Sequence, residues 1–424
     1  MRPSNQLLRR LEARLSPPLR DALRRAVSLA EEGGVEVYLV GGGVRDLLLG
    51  GDHVDLDLVV EGDGIGLASA LAEAVGAKVV AHPRFGTAVV EGAGFRLDLA
   101  RARAEHYERP GALPTVQPAS LADDLARRDF TINALALCLG GPKRGELIDP
   151  HGGQRDIEQR LVRVLHDGSF RDDATRILRA LRYARRLGFQ LQANTLSLLE
   201  RDLSYLDAIS GARLRHELEY IAGEAAAGGI VRLAGELGVL AAAEPSLRPG
   251  ARALSALGKL SEVAPSHRDA VLFCLLLAEV SSAQAETAAA RLSLTGRQAE
   301  AVRGFLALHK REASLARPAL RPSEAVALLA SAPAAAIEAF SFVAGEPLAA
   351  HRARQYLQEW RFARPRLNGR HVEALGLPHG PRVGEALALL REARLDGRVR
   401  TREDEVALVR TLLGEERLAG VGRG

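Results

Sequence analysis

An α+β head followed by a helical remainder is the fold class this sequence predicts, and three observations carry it. Before about residue 150, short β-branched runs punctuated by glycine recur: VEVYLV, VDLDLVV, AKVVA, TAVVEG and FRLDLA. Between the second and third, Gly64 to Val75 has helical spacing. From Ile157 onward, Leu and Ala recur every three or four residues with hardly a strand signal. The breaks AAAGG, SLRPGAR, LARPALRPS and RFARPRLNG divide that helical part into several units. No fixed-period repeat of the solenoid kind is present.

Taken in order, the first strand runs into Gly41-Gly42-Gly43 and a helical VRDLLLG that closes on Gly50 and Gly51. A dinucleotide-binding GxGxxG is excluded because its third glycine is replaced by Asp46, and a P-loop is excluded by the missing GK[ST]. What remains is either a structural tight turn or a phosphate-binding turn. In the second case Gly42 and Gly43 let backbone N–H groups approach a phosphate, and Arg45 adds charge one turn in.

The next strand carries Asp55 and Asp57. Alternation predicts both on one face, with Val54, Leu56 and Leu58 on the other. Two anions on one face repel, so the pair is either solvated at a sheet edge or relieved by a divalent cation. Oxygen-only ligands favour Mg²⁺, with water and substrate phosphates completing its shell. A phosphate turn just before such a pair points to metal-assisted nucleotidyl transfer, with Asp55 and Asp57 both catalytic and metal-binding. Asp98, in FRLDLA, is a candidate third carboxylate.

Composition limits the alternatives. With 424 residues and 47% hydrophobic content the chain can bury a sizeable core. Its two cysteines, Cys138 and Cys274, sit in apolar runs and read as core residues of a reducing compartment. The N-terminal segment lacks a signal-peptide core, and the longest apolar run, Ala270 to Ala278, is too short to span a bilayer. A cytoplasmic protein without a membrane partner is expected. Of 57 Lys+Arg only four are Lys, so guanidinium groups carry the positive charge. Codon composition explains such an excess as readily as phosphate binding does, and location must decide.

Two further stretches matter. DDLARRDFTINALAL, Asp123 to Leu137, interleaves apolar residues with Arg127, Arg128, Asp129 and Asn133. GSFRDDATRILRALRYARRLGFQL places Asp172 and Asp173 at an expected helix start and Gly188 at its end. Asp173 and Arg176 then fall at i,i+3 on one face, either as an ordinary salt bridge or as an acceptor and donors for a base edge. From Arg171 to Gln190 six Arg oppose two Asp, a surplus of +4 equal to the formal charge of the whole chain. Arg179, Arg182, Arg185 and Arg186 form a helical stripe there, for phosphates or simply for solvent.

The constellation GGxVRD, DxD and RRDFTxNA at these separations resembles class II tRNA nucleotidyltransferases, the CCA-adding enzymes and their bacterial poly(A) polymerase relatives. The segment from Arg101 to Ser120 is similar to that family's flexible loop. Asp172, Asp173 and Arg176 stand where the family shows an acidic pair, two spacers and Arg, with Asp172 in place of the more usual Glu. The resemblance implies a palm-type mixed-sheet nucleotidyltransferase head at 1–150, a helical neck with the base-reading helix at 151–220, a body at 221–360 and a tail at 361–424. It implies template-independent addition of C and A to the 3′ end of tRNA from CTP and ATP, with Mg²⁺ and a two-metal mechanism. It places Arg128 and Asp129 near the incoming ribose and triphosphate, Asn133 in support, Arg45 at the phosphates, and Asp173 and Arg176 at the base. Partial CC- or A-adding enzymes, poly(A) polymerases and a non-catalytic RNA-binding relative are the alternatives. The balanced C-terminal segment favours tRNA over poly(A) synthesis, and the intact Asp55/Asp57 pair argues against a non-catalytic protein. Oligomeric state is left open.

Overall fold

The computed structural model describes residues 4–51, 55–109, 111–112 and 114–421. Val54, expected on the apolar face of the second strand, lies outside the described residues. Two compact units form: Met1–Glu217 with Arg232–Ala243, and Leu218–Val231 with Glu244–Gly424.

The first unit is built on a sheet whose strands come from the β-branched runs: β1 (Glu36–Val40), β2 (Asp57–Glu61), β3 (Lys78–His82), β4 (Thr87–Gly92) and β5 (Phe95–Arg101). The chain then makes a separate two-stranded ribbon, β6 (Arg103–His106) and β7 (Thr115–Pro118), before returning with β8 (Ala136–Cys138) and β9 (Leu147–Ile148). The seven-stranded order is β3-β4-β5-β2-β1-β8-β9. Only β2 and β5 run parallel. All other neighbours are antiparallel, so the sheet is mixed. The β2–β5 register sets Asp57 directly beside Asp98.

Each sheet face is covered for a sequence reason. Leu39, Leu58, Leu97 and Leu99 are fully buried, worth about 1.5–3 kcal/mol each. The helices Pro17–Glu32 and Gly64–Val75 pack on the sheet, the second capped by Asp63, which accepts the Gly66 N–H at 2.9 Å. Tyr38, Val40, Val59, Ala136 and Cys138 form another cluster with Leu121 and Leu125 of the short helix Leu121–Ala126. A capping box between Ser120 and Asp123 starts that helix.

Two expectations need adjusting here. The second strand begins at Asp57, so Asp55 lies on the segment leading into it rather than on the strand. The part after residue 157 also contains a parallel pair of two-residue strands, Leu161–Val162 (β10) with Gln190–Leu191 (β11). Runs this short leave no period for a sequence to display. Otherwise the chain from there onward is helical.

The second unit packs helices around large apolar side chains. Phe273, Phe305 and Phe340 are fully buried on the helices Arg268–Leu276, Gly296–Lys310 and Ala334–Val343. Buried charge there is used as structural glue. Arg352 donates to the carbonyls of Leu315, Arg317, Pro318 and Leu320 and so fixes a turn that no helix satisfies. Glu405 does the same with opposite sign, accepting the Arg366 and Leu367 N–H groups. Leu367, Val372, Leu390 and Val409 form a separate small core. Both cysteines are buried and free. Among the described residues no single helix is long and apolar enough to cross a membrane.

Candidate active site

The glycine turn after β1 is a close approach, not just a bend. Gly41 has φ +66°, and a Cβ on it would meet Arg128 Nη1 at 2.6 Å. The helix Gly42–Leu49 follows and ends on left-handed Gly50, as the spacing predicts. Arg45 is 2% exposed, yet it reaches the wall of a cleft of about 730 Å³. Its guanidinium forks onto Asp46 at 2.9 and 3.0 Å and donates to Asn133 Oδ1. It also lies 5.1 Å from the Tyr183 ring centre.

Of the residues picked out from the sequence, Gly42, Arg45, Asp55, Asp57, Arg128, Asp129, Asn133, Asp173, Arg176, Arg179 and Arg186 come together in the cleft. Gly43, Asp98, Arg182 and Arg185 do not line it. Gly43 is buried on the helix, while Arg182 is 7% exposed and stacks 5.2 Å from Tyr183 behind the wall. Asp98 stands beside Asp57 in register, but its carboxylate is gripped by the exposed Arg96 at 3.1 and 3.2 Å.

The two sides of the cleft treat negative charge differently. Burial lifts the Asp57 carboxyl above its usual range. Arg128 opposes this, but Asp98 and Asp55 push it further up. Asp129, in the same cleft, is by contrast saturated. Its Oδ1 accepts the Phe130 N–H and Asn133 Nδ2, both at 2.9 Å, and its Oδ2 accepts Arg179 Nε at 2.9 Å and Nη2 at 2.6 Å. Burial alone would raise this carboxyl, but Arg179 and Asn133 hold it below its usual value.

The RRD motif is anchored by a residue that stands in the sequence only as part of the DDLARRD run. Asp124, fully buried, takes Arg127 at 2.6 Å and Arg128 at 2.9 Å. Burial works against its charge, and the two arginines more than offset that, so its carboxyl titrates low. The i,i+3 and i,i+4 spacing from Asp124 to the two arginines is the signal that could have found it.

The stretch expected to read the base departs from expectation in its backbone. Asp172 ends a short helix, Ser169–Asp172, and the next helix runs from Thr175 to Leu187, so Asp173 lies in extended backbone between them. Its Oδ1 accepts the Thr175 N–H at 3.0 Å and Oγ1 at 2.7 Å, an arrangement in which Asp caps from outside the helix. The i,i+3 salt bridge is therefore not made. Arg176 instead donates to Ser169 Oγ at 2.8 Å and the Arg127 carbonyl at 2.7 Å, while Asp173 pairs with Arg213 at 2.7 Å. Gly188 closes the helix in left-handed conformation as anticipated.

Tyr107, Tyr183, Arg213 and Glu217 also line the cleft, none of them singled out from the sequence. Glu217 sits 3.8 Å from Arg179 and 3.9 Å from Arg182. Burial raises its carboxyl more than those arginines lower it.

Asp55 and Asp57 fit a divalent cation. Both line the cleft, Asp55 adds to the negative charge that raises the Asp57 carboxyl, and each offers oxygen only. Among the described residues no group of three or more His, Cys, Asp or Glu is gathered as a cage.

Comparison with known proteins follows the same geometry. A family model described as the poly A polymerase head domain matches residues 37–163. A CC-adding tRNA nucleotidyltransferase of Deinococcus radiodurans is 37% identical over 383 residues, 89% of this chain and 90% of that protein. An A-adding tRNA nucleotidyltransferase of Geobacter sulfurreducens is 44% identical over 245 residues, 57% of this chain but 28% of that protein. The chain spans less than half the length of the A-adding relatives it matches. A solved apo form of a CCA-adding enzyme superposes with a TM-score of 0.80 at 30% identity, covering 96% of this chain and 98% of that one. The Thermotoga maritima CCA-adding enzyme complexed with tRNA superposes at 0.76 and 28% identity, covering 96% and 98%.

Proposed function

The chain belongs to the class II tRNA nucleotidyltransferase family, and from that premise we propose that it adds C and A to the 3′ end of tRNA from CTP and ATP, releasing pyrophosphate. The observation that carries this reading is a single cleft lined by Asp55, by the under-compensated Asp57, by Arg45, Arg128, Arg176 and Arg179, and by Asp173. In-line transfer needs that arrangement. The RNA 3′ hydroxyl attacks the α-phosphorus from one side while the P–O bond to pyrophosphate breaks on the other, and both oxygens carry developing negative charge.

Asp55 and Asp57 would hold Mg²⁺, with Asp98 the candidate third carboxylate. When bound, such ions lower the pKa of the attacking hydroxyl and screen the charge on the leaving pyrophosphate. The chain's own residues do the rest. Arg128, held against the Gly41 turn by Asp124, and Arg45, tied to Asn133, offer donors to the triphosphate. Arg179 aims both of its bonds at one oxygen of Asp129, so giving up one of them opens an acceptor for the ribose 2′ hydroxyl. Asp173 and Arg176 present an acceptor and donors to the base edge. Cytosine and adenine both offer an amino group next to a ring acceptor, whereas uracil and guanine turn a carbonyl toward the carboxylate.

A second reading, addition of C alone, is favoured by the near full-length match to a CC-adding protein. One experiment separates them. Purified protein with Mg²⁺ and each labelled nucleoside triphosphate in turn is offered tRNA transcripts ending before CCA, after CC, or complete. Addition of two C and then A supports the first reading, and arrest after CC supports the second. Incorporation on none of the transcripts overturns both.

A further inference from the structure

Asp98 has the backbone position of a third carboxylate but not the freedom of one. Register places it directly beside Asp57 across β2 and β5, and places Glu91 of β4 directly beside Arg96 of β5. Alternation then sets Glu91, Arg96, Asp98 and Asp57 on one face of the sheet, opposite the buried Val90, Leu97, Leu99 and Leu58. The charges along that row read minus, plus, minus, minus. Asp98 adds to the negative charge that raises the Asp57 carboxyl, so the two acids feel each other.

Within the row the Arg96 guanidinium is shared. Its Nε donates to Asp98 Oδ2 at 3.1 Å and its Nη2 to Asp98 Oδ1 at 3.2 Å, while its Nη1 donates to Glu91 Oε1 at 2.9 Å. Both oxygens of Asp98 thus face one cation of this chain, in the forked geometry that suits a carboxylate. The side chains of Arg96, Glu91 and Asp98 are 59%, 54% and 44% exposed, and ion pairs so placed add little to stability. Opening the fork costs the fold little. A divalent cation held by Asp57 would draw on the same Asp98 oxygens with twice the charge, and Arg96 already has a second partner in Glu91.

We propose that Arg96 is a positioning residue for the metal site: it is the built-in counterion of Asp98, competes with the divalent cation for that carboxylate, and is retained by Glu91 when it yields. The inference rests on the reading of Asp55 and Asp57 as cation ligands. Asp98 is on this account a conditional third ligand whose availability Arg96 sets. Two consequences have opposite sign. Removing Arg96 frees the carboxylate and tightens cation binding, whereas removing the charge of Glu91 leaves Arg96 on Asp98 alone and weakens it.

Mn²⁺ alone, titrated into the full-length protein and counted by the electron paramagnetic resonance signal of the free ion, reads affinity without any turnover. Wild type is compared with Arg96→Gln, Glu91→Gln, Asp98→Asn, Asp57→Asn and the double variant Arg96→Gln/Asp98→Asn. Arg96→Gln is expected to tighten Mn²⁺ about three- to fivefold at low salt, within the range of an exposed ion pair, and less at high salt, where the competing charge is screened. Glu91→Gln is expected to weaken it about twofold. In the Asp98→Asn background Arg96→Gln is expected to change nothing, since the guanidinium acts through that carboxylate. Arg96→Gln should melt with wild type, as an exposed substitution does. If it melts early, Arg96→Lys, which keeps the charge but not the fork, decides by the same comparison. An affinity equal to wild type overturns the proposal and leaves an ordinary surface pair. An equal gain in the Asp98→Asn background overturns it as well, because the charge then acts on Asp55 and Asp57 directly. If Asp57→Asn binds Mn²⁺ as wild type does, the metal reading itself falls and takes this inference with it.

Discussion

The carboxylate wall and the arginine wall of the cleft spend charge in opposite ways. On the first, Asp57 stands beside Asp98 and near Asp55, with Arg128 the one cation acting against its raised titration. On the second, Asp124 and Asp129 are buried and each takes charge-assisted bonds to both of its oxygens. A saturated carboxylate is a structural part that aims its arginines. An under-compensated one is held ready for a ligand from outside the chain. Substitution should therefore separate activity from stability on the first wall and damage both on the second.

The largest effect belongs to the first wall. Asp55→Ala or Asp57→Ala is expected to lower labelled-nucleotide incorporation on the order of a thousandfold or more, as loss of a central charge-stabilising group does. The melting temperature should not fall, because the change removes repulsion rather than packing. A carboxyl held above its unfolded value costs the folded state stability at neutral pH, so Asp57→Asn should leave the melt unchanged or raise it. An active variant, or one that melts well below wild type, breaks the contrast.

Asp124→Ala tests the second wall. Removing one partner of a buried ionic cluster costs about 3–5 kcal/mol, and Arg127 and Arg128 are each less than one-fifth exposed. Denaturant unfolding should show that loss at neutral pH. The carboxyl titrates below its ordinary value, so its contribution is present above the unfolded carboxylate range and fades as pH falls through the folded value. Wild type and Asp124→Ala should accordingly converge in stability under strong acid. Nucleotide KM should rise as well, since Arg128 loses its aim.

How much of this was legible depends on how far each contact reaches along the chain. The strands, the helix Gly64–Val75, the glycine turn and the Asp55/Asp57 pair carry local periods or local motifs, and the structure places them near where those signals fall. Asp124 was legible in principle through its spacing to two arginines, but an acid in a first helical turn has an ordinary explanation. Arg213 and Glu217 were not legible. Their ion-pair partners lie 35 to 40 residues away in sequence, and nothing in GARLRHELEYI marks which polar side chain turns inward. Asp173 shows the opposite failure: i,i+3 spacing pairs it with Arg176 only if both are helical, and its extended backbone removes that condition.

A smaller effect is expected at Asp129. If one Arg179 bond gives way to a ribose hydroxyl, Asp129→Ala leaves that hydroxyl unpaired and the preference for NTP over dNTP should fall about tenfold. Competing CTP and dCTP in one reaction reads this directly. An unchanged ratio with a raised KM would assign Asp129 to holding Arg179 alone, which sharpens the contrast rather than breaking it.

The smallest effect concerns the glycine turn against Arg128. Gly41 follows β1, holds a positive φ of +66°, and lies so close to Arg128 that a methyl group would meet its guanidinium. Gly41→Ala should cost about 1–3 kcal/mol for the backbone conformation. The guanidinium end is the far tip of a flexible side chain and can move aside, so the fold should survive. Arg128 cannot move without loosening its bond to Asp124 and its field on Asp57. The expected signature is a modest drop in melting temperature together with a nucleotide KM raised several-fold at near wild-type kcat. A loss of kcat as large as that of Asp57→Ala would mean that the turn belongs to the reacting centre itself, and the two walls would have to be treated as one.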